Sequence, residues 1–571
     1  MLDEMITVSL IGPPRIEGPS GERQEVKGNK PWAVLARVVL ADRDLSRREL
    51  SSELFPDADD PLGSLRWCLA SLRRAFGTAD VLTGDPVRRD LGPDVRVDVL
   101  ELRDGRHDPT ATGELLEGIE PRCGPEFSTW LLVARQQVAA AITASLRDDV
   151  ISAISRRQSE RSVRLAEVLA RRTTFDEGAH VLLVKALMLA GEHERALDHV
   201  VAVERTFRTE LGCDPSPALR SAARPGMADP PPGVSTRTIA MTLLDSGRDA
   251  LAAGATDAGV ECLRRASAQA EASGDDALLA RSFCELGTAL VHSIRGFDDE
   301  GSVLLEQAAE LAEQIGDGPT AVAALRERGY ADALAGRRPQ AQRHLDHAGE
   351  FVDGDDVLAA GVDAVAAFNL CDWGRHEEGL GRYEKAIEAA RRCGDRRREA
   401  WALGLVGWTL HLAGDDGATG TLRSCLDIVH ELRWTAFEPW PMAVLAEAQL
   451  AHLDDGELSS ELERCFAMSC QLQDPCWEGA SGRVMALHHA RRNDHEEAVR
   501  WIVDARTRCE RKSDIWSGLL GEIVLTEAVI RAAASDPIGS EAATRQTIAL
   551  AAGAQLDDLL KRALDLLPSA G

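Results

Sequence analysis

The 571-residue sequence predicts a mainly α-helical protein with a small α+β domain at its N-terminus and a long array of helix pairs at its C-terminus. Three observations indicate this organisation. Short apolar alternation and three helical periods follow one another within the first hundred residues. Glycine recurs about every 40 residues across the C-terminal half, and the stretch PGMADPPPGVS, rich in proline and glycine, separates the two regions.

The first hundred residues predict short strands followed by helices. The segment ITVSLIGPPRIEG alternates apolar and polar residues around glycine and proline, which is typical of small strands and turns. In KGNKPWAVLARVVLA, Pro31 predicts a helix start, because proline is favoured in the first helical turn. In SRRELSSELF, Ser46 and Glu49 have the spacing of a capping box, and Pro56 ends this second helix.

The third predicted helix is purely basic, although the chain has a formal net charge of −28. In DPLGSLRWCLASLRRAFG, Asp60 and Pro61 fit an N-cap and first turn, and Gly77 fits a helix stop. The predicted apolar stripe consists of Leu62, Leu65, Leu69, Leu72 and Phe76. Away from this stripe lie Arg66, Trp67, Ser71, Arg73 and Arg74. Such a surface can approach a nucleic-acid groove; the alternative is an ordinary surface helix with an excess of arginine.

The order of these elements predicts a winged helix over residues 1–105. Two extended segments in VLTGDPVRRDLGPDVRVDVLEL follow the third helix and predict a hairpin wing. In a winged helix the third helix enters the major groove, so we expect Arg66 and Arg74 to reach base edges and Arg73 to contact phosphate. Further phosphate contacts are expected from Arg47, Arg48, Arg88 and Arg89.

The segments PWAVLARVVL, SRRELSSELF and LRWCLASLRRAFG resemble the winged-helix domain of the Streptomyces antibiotic regulatory protein family of transcriptional activators. In that family a segment ending LRRALG is the recognition helix, and Leu72 to Gly77 read LRRAFG here. One departure concerns the wing. A strand similar to Gly-Tyr-Arg-Leu is usual in the family, whereas the corresponding region here reads PVRRDL and has no aromatic residue.

Residues 109–224 predict an all-α domain. Their line LAGEHERALDHVVAVERTFRTELGCDPSPALR resembles the bacterial transcriptional activation domain that follows the winged helix in the same family. The matching ending consists of Glu210, Leu211, Gly212, Pro215 and Leu219. The resemblance implies two protomers side by side on direct repeats of double-stranded DNA. It also implies contact with RNA polymerase holoenzyme, including the sigma subunit.

Residues 225–235 predict a linker, and residues 236–571 predict an α-solenoid. The repeating glycines are Gly254, Gly296, Gly336, Gly374 and Gly414, with Gly191 in the preceding domain. A small residue recurs five positions later, and alanine recurs twelve positions later at Ala266, Ala308, Ala348 and Ala386. This pattern resembles lengthened tetratricopeptide repeats, and it predicts about eight helix pairs with a concave surface. We expect the acidic array, held by a proline-rich tether, to regulate DNA binding without contributing to it.

Tryptophans cluster in the middle of this array. The residues are Trp373, Trp401, Trp408, Trp434, Trp440 and Trp477. One interpretation is an aromatic lining of the concave groove for a protein or small-molecule effector, and the other is core packing between repeats.

Composition excludes several classes of protein. The net charge argues against non-specific coating of nucleic acid, so any DNA contact must be local. The twelve cysteines lack CxxC spacing, and Cys465, Cys470 and Cys476 lack zinc-ligand spacing, so reduced thiols and no metal are expected. A signal peptide and membrane spans are not evident, which predicts a cytoplasmic protein. The sequence contains no GxxxxGK[ST], HExxH or GxSxG motif, so neither an enzyme nor a cofactor is expected, and His344 and His347 are interpreted as structural or solvated.

Two functional hypotheses remain at this point. The first is a sequence-specific activator that binds promoter DNA as a dimer, recruits RNA polymerase and senses an effector through its repeats. The second is a signalling scaffold whose winged helix is a protein-interaction surface. Residues 1–105 contain 15 Lys or Arg and 19 Asp or Glu, which favours the scaffold slightly, whereas the acid-free third helix favours DNA.

Overall fold

The computed structural model describes residues 5–106, 113–223, 235–252, 255–294, 296–450, 455–511 and 514–567. The N-terminal region contains short strands and helices in alternation. They are β1 (Ile6–Ser9), β2 (Arg15–Glu17), β3 (Arg23–Gln24), α1 (Lys30–Val39), α2 (Arg47–Leu54), α3 (Pro61–Ala75), β4 (Val95–Val97) and α4 (Asp98–Arg103).

The strands form one sheet in the order β3-β2-β1-β4. Strands β1 and β2 are antiparallel, with Val8 opposite Ile16, whereas β1 and β4 are parallel, with Val8 opposite Val97. The predicted hairpin wing is therefore wrong in the described residues. The segment that was expected to supply its second strand instead completes the N-terminal sheet, and Val87 makes only an isolated bridge to Leu45.

Local signals start and end the helices as expected. Ser46 and Glu49 form the capping box of α2, and the side chain of Asp60 accepts a hydrogen bond from Gly63 N at the start of α3. Gly77 has a positive φ of 67°, which a residue without Cβ adopts without strain. Apolar faces of α1, α2 and α3 bury one core with the sheet.

The next region is helical. It consists of α5 (Pro125–Ser155), α6 (Ser159–Arg172), α7 (Glu177–Leu189), α8 (His193–Thr206), a π-helical turn (Phe207–Leu211) and α9 (Pro217–Ala222). Gly212, in the matched ending, follows the π-helical turn with a φ of 70°. The predicted linker lies outside the described residues except for Ser235.

Eight helix pairs and a final helix follow in the part of the array that is described. The pairs are α10 (Thr236–Ala252) with α11 (Thr256–Ser273), α12 (Asp276–His292) with α13 (Asp298–Ile315), α14 (Gly318–Leu334) with α15 (Arg338–Gly349), α16 (Asp356–Asp372) with α17 (His376–Cys393), α18 (Arg396–Leu412) with α19 (Ala418–Glu431), α20 (Pro439–Gln449) with α21 (Asp455–Leu472), α22 (Pro475–Arg491) with α23 (His495–Cys509), and α24 (Ser517–Ala533) with α25 (Pro537–Gly553). The final helix is α26 (Asp557–Asp565).

The repeat pattern is confirmed and has a steric cause. The recurring glycines lie in the turns within pairs at positive φ, except Gly254, which lies outside the described residues. The small residue five positions later lies where the two helices of a pair cross. A Cβ on Gly301 would lie 3.0 Å from the carbonyl oxygen of Gly287, so a larger side chain would force α12 and α13 apart.

The first helices of successive pairs, from α12 to α24, also contact one another, whereas each second helix contacts mainly its sequence neighbours. The layer whose members approach more closely is the inner side of a curved array, so the first helices form the inner layer. The segment before α24 contacts much earlier turns of this array. Asp514 accepts hydrogen bonds from Phe297 N at 2.8 Å and Asp298 N at 3.2 Å.

The chain divides into two compact units, one through Leu146 and one from Arg147 to Leu567. This division falls within α5, so the second unit contains α6 to α9 together with all the repeats. The domain boundaries at residues 105, 109, 224 and 235 stay predictions. No described helix combines the length and apolar character needed to cross a membrane.

Candidate nucleic-acid interface

The basic face of α3 is exposed. Leu65, Leu69 and Leu72 are buried against the N-terminal core, as predicted, and Cys68 joins them. Leu62 was expected in this stripe, but it is 48% exposed, so the buried face begins one turn later. On the other side, the indole of Trp67 is 51% exposed.

Arg66 and Arg74 are the α3 arginines whose guanidinium groups are available. Arg74 is exposed and donates only to the carbonyl of Ala70, at 3.3 Å. Arg66 lies 3.4 Å from Asp60, and both side chains are about two-thirds exposed. Exposed ion pairs of this kind contribute little, so phosphate or a base edge can replace Asp60 at low cost.

Arg73 and Ser71 have structural environments. Arg73 donates to the carbonyl oxygens of Val81 at 3.0 Å and Leu82 at 2.6 Å, so its guanidinium holds the segment that follows α3. Ser71 is only 4% exposed, because it lies on the side of α3 that faces the core. The expectation that Ser71 contacts DNA is therefore wrong for this structure.

The four remaining arginines divide into two kinds. Arg47 donates to Gly84 O at 2.9 Å, and Arg89 donates to Ala41 O at 2.5 Å, so both fasten the 84–89 segment. Arg88 donates only to the exposed hydroxyl of Thr83. Arg48 is exposed, and no described residue forms a hydrogen bond or ion pair with its side chain.

The tryptophans of the repeats are mainly core residues. Trp408 and Trp440 are 4% and 1% exposed, and their rings contact each other edge-on at 5.2 Å. Trp516, which lies outside the predicted cluster of tryptophans, contacts both rings and donates from Nε1 to Asp372 at 2.8 Å. Trp408 and Trp440 therefore do not line an open groove, because a later segment of the chain covers them.

Three other tryptophans lie elsewhere. Trp373 lies in a turn beneath Arg375, and Trp434 lies in the α19–α20 connection, stacked on Phe437 at 4.7 Å. Neither belongs to the inner layer, so neither supports the predicted groove. Trp401 is different, because it lies on α18 in the inner layer and is only partly buried.

A buried ion-pair network joins residues 147–223, called the activation region below, to the repeats. The sequence did not predict this network. Arg147 on α5 is buried and pairs with Asp176 and, at 2.6 Å, with Asp299 on α13. Asp148 accepts from Arg328 on α14 at 2.8 Å. These partners are 152 and 180 residues apart in the chain, so no local pattern could have indicated them.

His344 belongs to this network. The imidazole lies 3.5 Å from Asp332, and burial followed by the positive charge of Arg328 lowers the pKa of His344 to about 4. Asp148, Asp332 and His344 lie close enough to hold a metal ion. Guanidinium groups of Arg328, Arg337 and Arg343 already pair with the two carboxylates, so the cluster is better suited to ion pairing than to a cation.

Comparison with known proteins gives one family match. Residues 112–224 match the model of the bacterial transcriptional activator domain. No curated protein sequence matches the chain.

Solved structures resemble parts of the chain at low identity. A Rap protein complexed with competence and sporulation factor is 12% identical, with 74% of this chain and 99% of that chain covered and a TM-score of 0.35. Mycobacterium tuberculosis EmbR in complex with a low-affinity phosphopeptide is 19% identical, with 38% and 64% covered and a TM-score of 0.29. Aspartyl phosphate phosphatase F from Bacillus subtilis is 10% identical, with 71% and 94% covered and a TM-score of 0.31.

The matched domain lies where the resemblance implies it, between the N-terminal α+β region and the helical repeats. Residues 112–224 therefore contain a bacterial transcriptional activator domain, and helix pairs like those of tetratricopeptide repeats follow it in the chain.

Proposed function

We propose that the protein activates transcription by binding double-stranded promoter DNA in a sequence-specific manner, with α3 in the major groove. The observation that carries this proposal is the exposed, acid-free face of α3, where Arg66, Trp67 and Arg74 stand opposite the buried leucines. Arginine can donate two hydrogen bonds to the O6 and N7 atoms of guanine, which specifies a base, and an exposed indole can contact a sugar or a thymine methyl group.

Binding would depend on a small basic surface in an acidic protein. Arg48 and Arg88 flank α3 in the chain and have exposed guanidinium groups suited to phosphate. Because the whole chain carries a net charge of −28, long-range attraction to DNA is weak, and these few contacts must supply the electrostatic part of the affinity. We therefore expect a modest salt dependence, in proportion to two to four neutralised phosphates.

The remaining roles follow from the family resemblance. Two protomers would bind direct repeats side by side, and the activation domain would support this dimer and contact RNA polymerase holoenzyme through its sigma subunit. The protein would act in the cytoplasm, at the nucleoid. The repeats would sense a protein or small-molecule effector, and no cofactor or catalytic step is required.

The scaffold hypothesis keeps two observations in its favour. The described residues form no hairpin wing, and three of the expected phosphate contacts, Arg47, Arg73 and Arg89, donate to backbone carbonyls instead. In that alternative the exposed face of α3 would bind a protein.

A gel-shift experiment with the full-length protein tests the proposal. Duplexes that tile its own promoter region are compared with random duplexes of equal length, for the wild type and for the double variant Arg66→Ala, Arg74→Ala. A specific complex that the double variant loses supports the activator. Absence of any preferred duplex, with the protein folded, contradicts it and favours the scaffold.

A further inference from the structure

Two arginines come together on the inner layer, in a part that Trp516 does not cover. They belong to α14 and α18, the helices on either side of α16. Arg326 on α14 and Arg398 on α18 approach Gly361 on α16 from opposite neighbours. A Cβ at Gly361 would lie 3.0 Å from Nη1 of Arg326 and 3.2 Å from Nη1 of Arg398. The missing side chain of this one glycine is what allows both guanidinium groups to converge on the same point.

Both guanidinium groups keep donors that the described protein does not use. Arg326 donates to the neighbouring Glu327 from Nε at 2.9 Å and from Nη2, and its Nη1 makes no further hydrogen bond among the described residues. Arg398 contacts Asp395 only weakly, from Nε at 3.4 Å, and both of its terminal nitrogens are unpaired within that same part of the chain. The side chains of Arg326 and Arg398 are 17% and 24% exposed, so both are partly accessible to solvent.

The two groups repel each other. Burial, and then the positive charge of Arg326, lower the pKa of Arg398. The nearby carboxylates of Glu327 and Asp395 compensate for this charge through Nε and Nη2 of Arg326 and Nε of Arg398, and neither accepts a hydrogen bond from an Nη1 atom. A point between two converging guanidinium groups is a position of positive potential, and planar anions satisfy such forks with two or more parallel hydrogen bonds.

An apolar wall adjoins this point. Tyr330, one turn after Arg326 on α14, meets Trp401, one turn after Arg398 on α18, edge-to-face at 6.2 Å. Both rings are only partly buried. His292 stacks on one side of Tyr330 at 4.8 Å, and Phe368 contacts both rings at 6.1 Å, so only the remaining exposed parts of Tyr330 and Trp401 are open to a ligand beside the arginines.

We propose that Arg326 and Arg398 form the anion-binding half of an effector site, which takes a small organic molecule carrying one carboxylate or phosphate and a flat apolar body. Oxygen atoms of the anion accept hydrogen bonds from the free N–H groups of the two arginines above Gly361. The apolar body of the ligand lies on Tyr330 and Trp401. This inference names the ligand class of the sensing role in the proposed function and rests on it. Carboxylate and phosphate share the recognition chemistry, and the probes below separate them.

Titration calorimetry with the full-length protein tests the site. The probes are phenylacetate, phenyl phosphate, inorganic phosphate and, as the uncharged analogue, benzyl alcohol. We expect saturable binding of at least one aromatic anion and no binding of benzyl alcohol. The main variant is Arg398→Gln, which removes the charged N–H donors of one guanidinium group. This loss should weaken binding of the aromatic anion by about ten- to a hundredfold.

Two further variants control the result. Gly361→Ala keeps every charge and places a methyl group where the anion is proposed to bind, so it should weaken binding as Arg398→Gln does. Arg265→Gln removes an exposed arginine on α11 and should leave binding unchanged. Thermal melting shows that each variant is folded.

The outcomes separate this inference from the proposed function. No saturable binding of either aromatic anion at millimolar concentration, or binding that Arg398→Gln and Gly361→Ala leave unchanged, overturns the anion site. Inorganic phosphate binding as tightly as phenyl phosphate overturns the aromatic half. The promoter gel shift is run on the same preparations: specific DNA binding without anion binding refutes the site alone, whereas anion binding without DNA binding refutes the activator.

Discussion

Arg73 and Arg74 are adjacent on α3 but should respond to substitution in opposite ways. Arg74 is exposed, and its one hydrogen bond, to Ala70 O, is 3.3 Å long and lies within its own helix. Arg74→Ala should therefore change the free energy of unfolding by less than about 0.5 kcal/mol. If Arg74 contacts a base edge, the same change should weaken specific DNA binding by about 1–3 kcal/mol, or roughly five- to 150-fold, and relax the preference at one base pair.

Arg73→Ala should act mainly on stability. Its guanidinium donates to two carbonyls, of Val81 and Leu82, and these acceptors lie at the start of the segment that was predicted as a wing. Hydrogen bonds from a charged donor contribute about 1.5–3 kcal/mol when buried, and this side chain is only partly buried. A total loss of about 1–3 kcal/mol in unfolding free energy is expected.

The assay is fluorescence anisotropy of labelled promoter and random duplexes at two salt concentrations, together with urea unfolding of each variant. A phosphate contact would weaken both duplexes alike and reduce the salt slope, whereas a base contact would weaken the promoter duplex selectively. If Arg74→Ala keeps both full affinity and full discrimination while folded, α3 is not the recognition helix.

Three further predictions concern α3, the repeats and the activation region. Trp67 is exposed in the free protein, so its emission should shift when promoter DNA binds; Trp67→Phe should abolish that shift and keep the fold, and an unchanged signal would contradict the contact. Gly301→Ala should lower the free energy of unfolding by about 1–3 kcal/mol, because its Cβ would clash with Gly287 O. Gly381→Ala, where nothing lies within 4 Å of the added Cβ, should raise it by about 0.5–1 kcal/mol. Equal shifts in the melting temperatures of the two variants would refute the steric argument. Burial, with the adjacent imidazole of His180, lowers the pKa of His199 from 6.5 to about 4. Between these pH values the folded state therefore binds fewer protons than the unfolded chain. The contribution of His199 to the free energy of unfolding is present above pH 6.5 and is lost as the pH falls toward 4. His199→Gln should flatten that part of the pH profile of unfolding, and an unchanged slope would show that another group is responsible.

The features that could be predicted from the sequence are those that neighbouring residues determine. The capping box of α2, the Asp60 cap and the Gly77 stop each involve residues within a few positions, and all were found as expected. The wing failed for the converse reason. Alternation in VRV predicts a strand but does not identify its partner, and that partner is β1, about ninety residues earlier.

The same limit applies to the repeats. Glycine and alanine at fixed offsets predicted the helix pairs, because close helix crossings require small residues at those positions. The contacts of Asp514 with Phe297 and of Trp516 with Trp440 are not visible in any repeat, because each joins two different units of the array. For this reason the sequence indicated aromatic clustering correctly but could not tell which tryptophans another segment would cover.

Helix α14 contributes to both the proposed anion site and the contacts with α5. Residues from Arg147 onward form one compact unit with the repeats, so the predicted linker is not the sole connection between residues 147–223 and the array. Within that unit α14 carries Arg326, which belongs to the proposed anion site, and Arg328, which is 1% exposed and pairs with Asp148 of α5. Removing one partner of a buried ion pair generally costs about 3–5 kcal/mol, so cutting the chain near residue 224 would do more than release a tethered regulator: it would leave Arg147 without Asp299 and Asp148 without Arg328. Poor DNA binding by a truncated protein could thus result from a damaged activation region as well as from a lost DNA contact. Experiments on regulation therefore need the full-length chain with single substitutions.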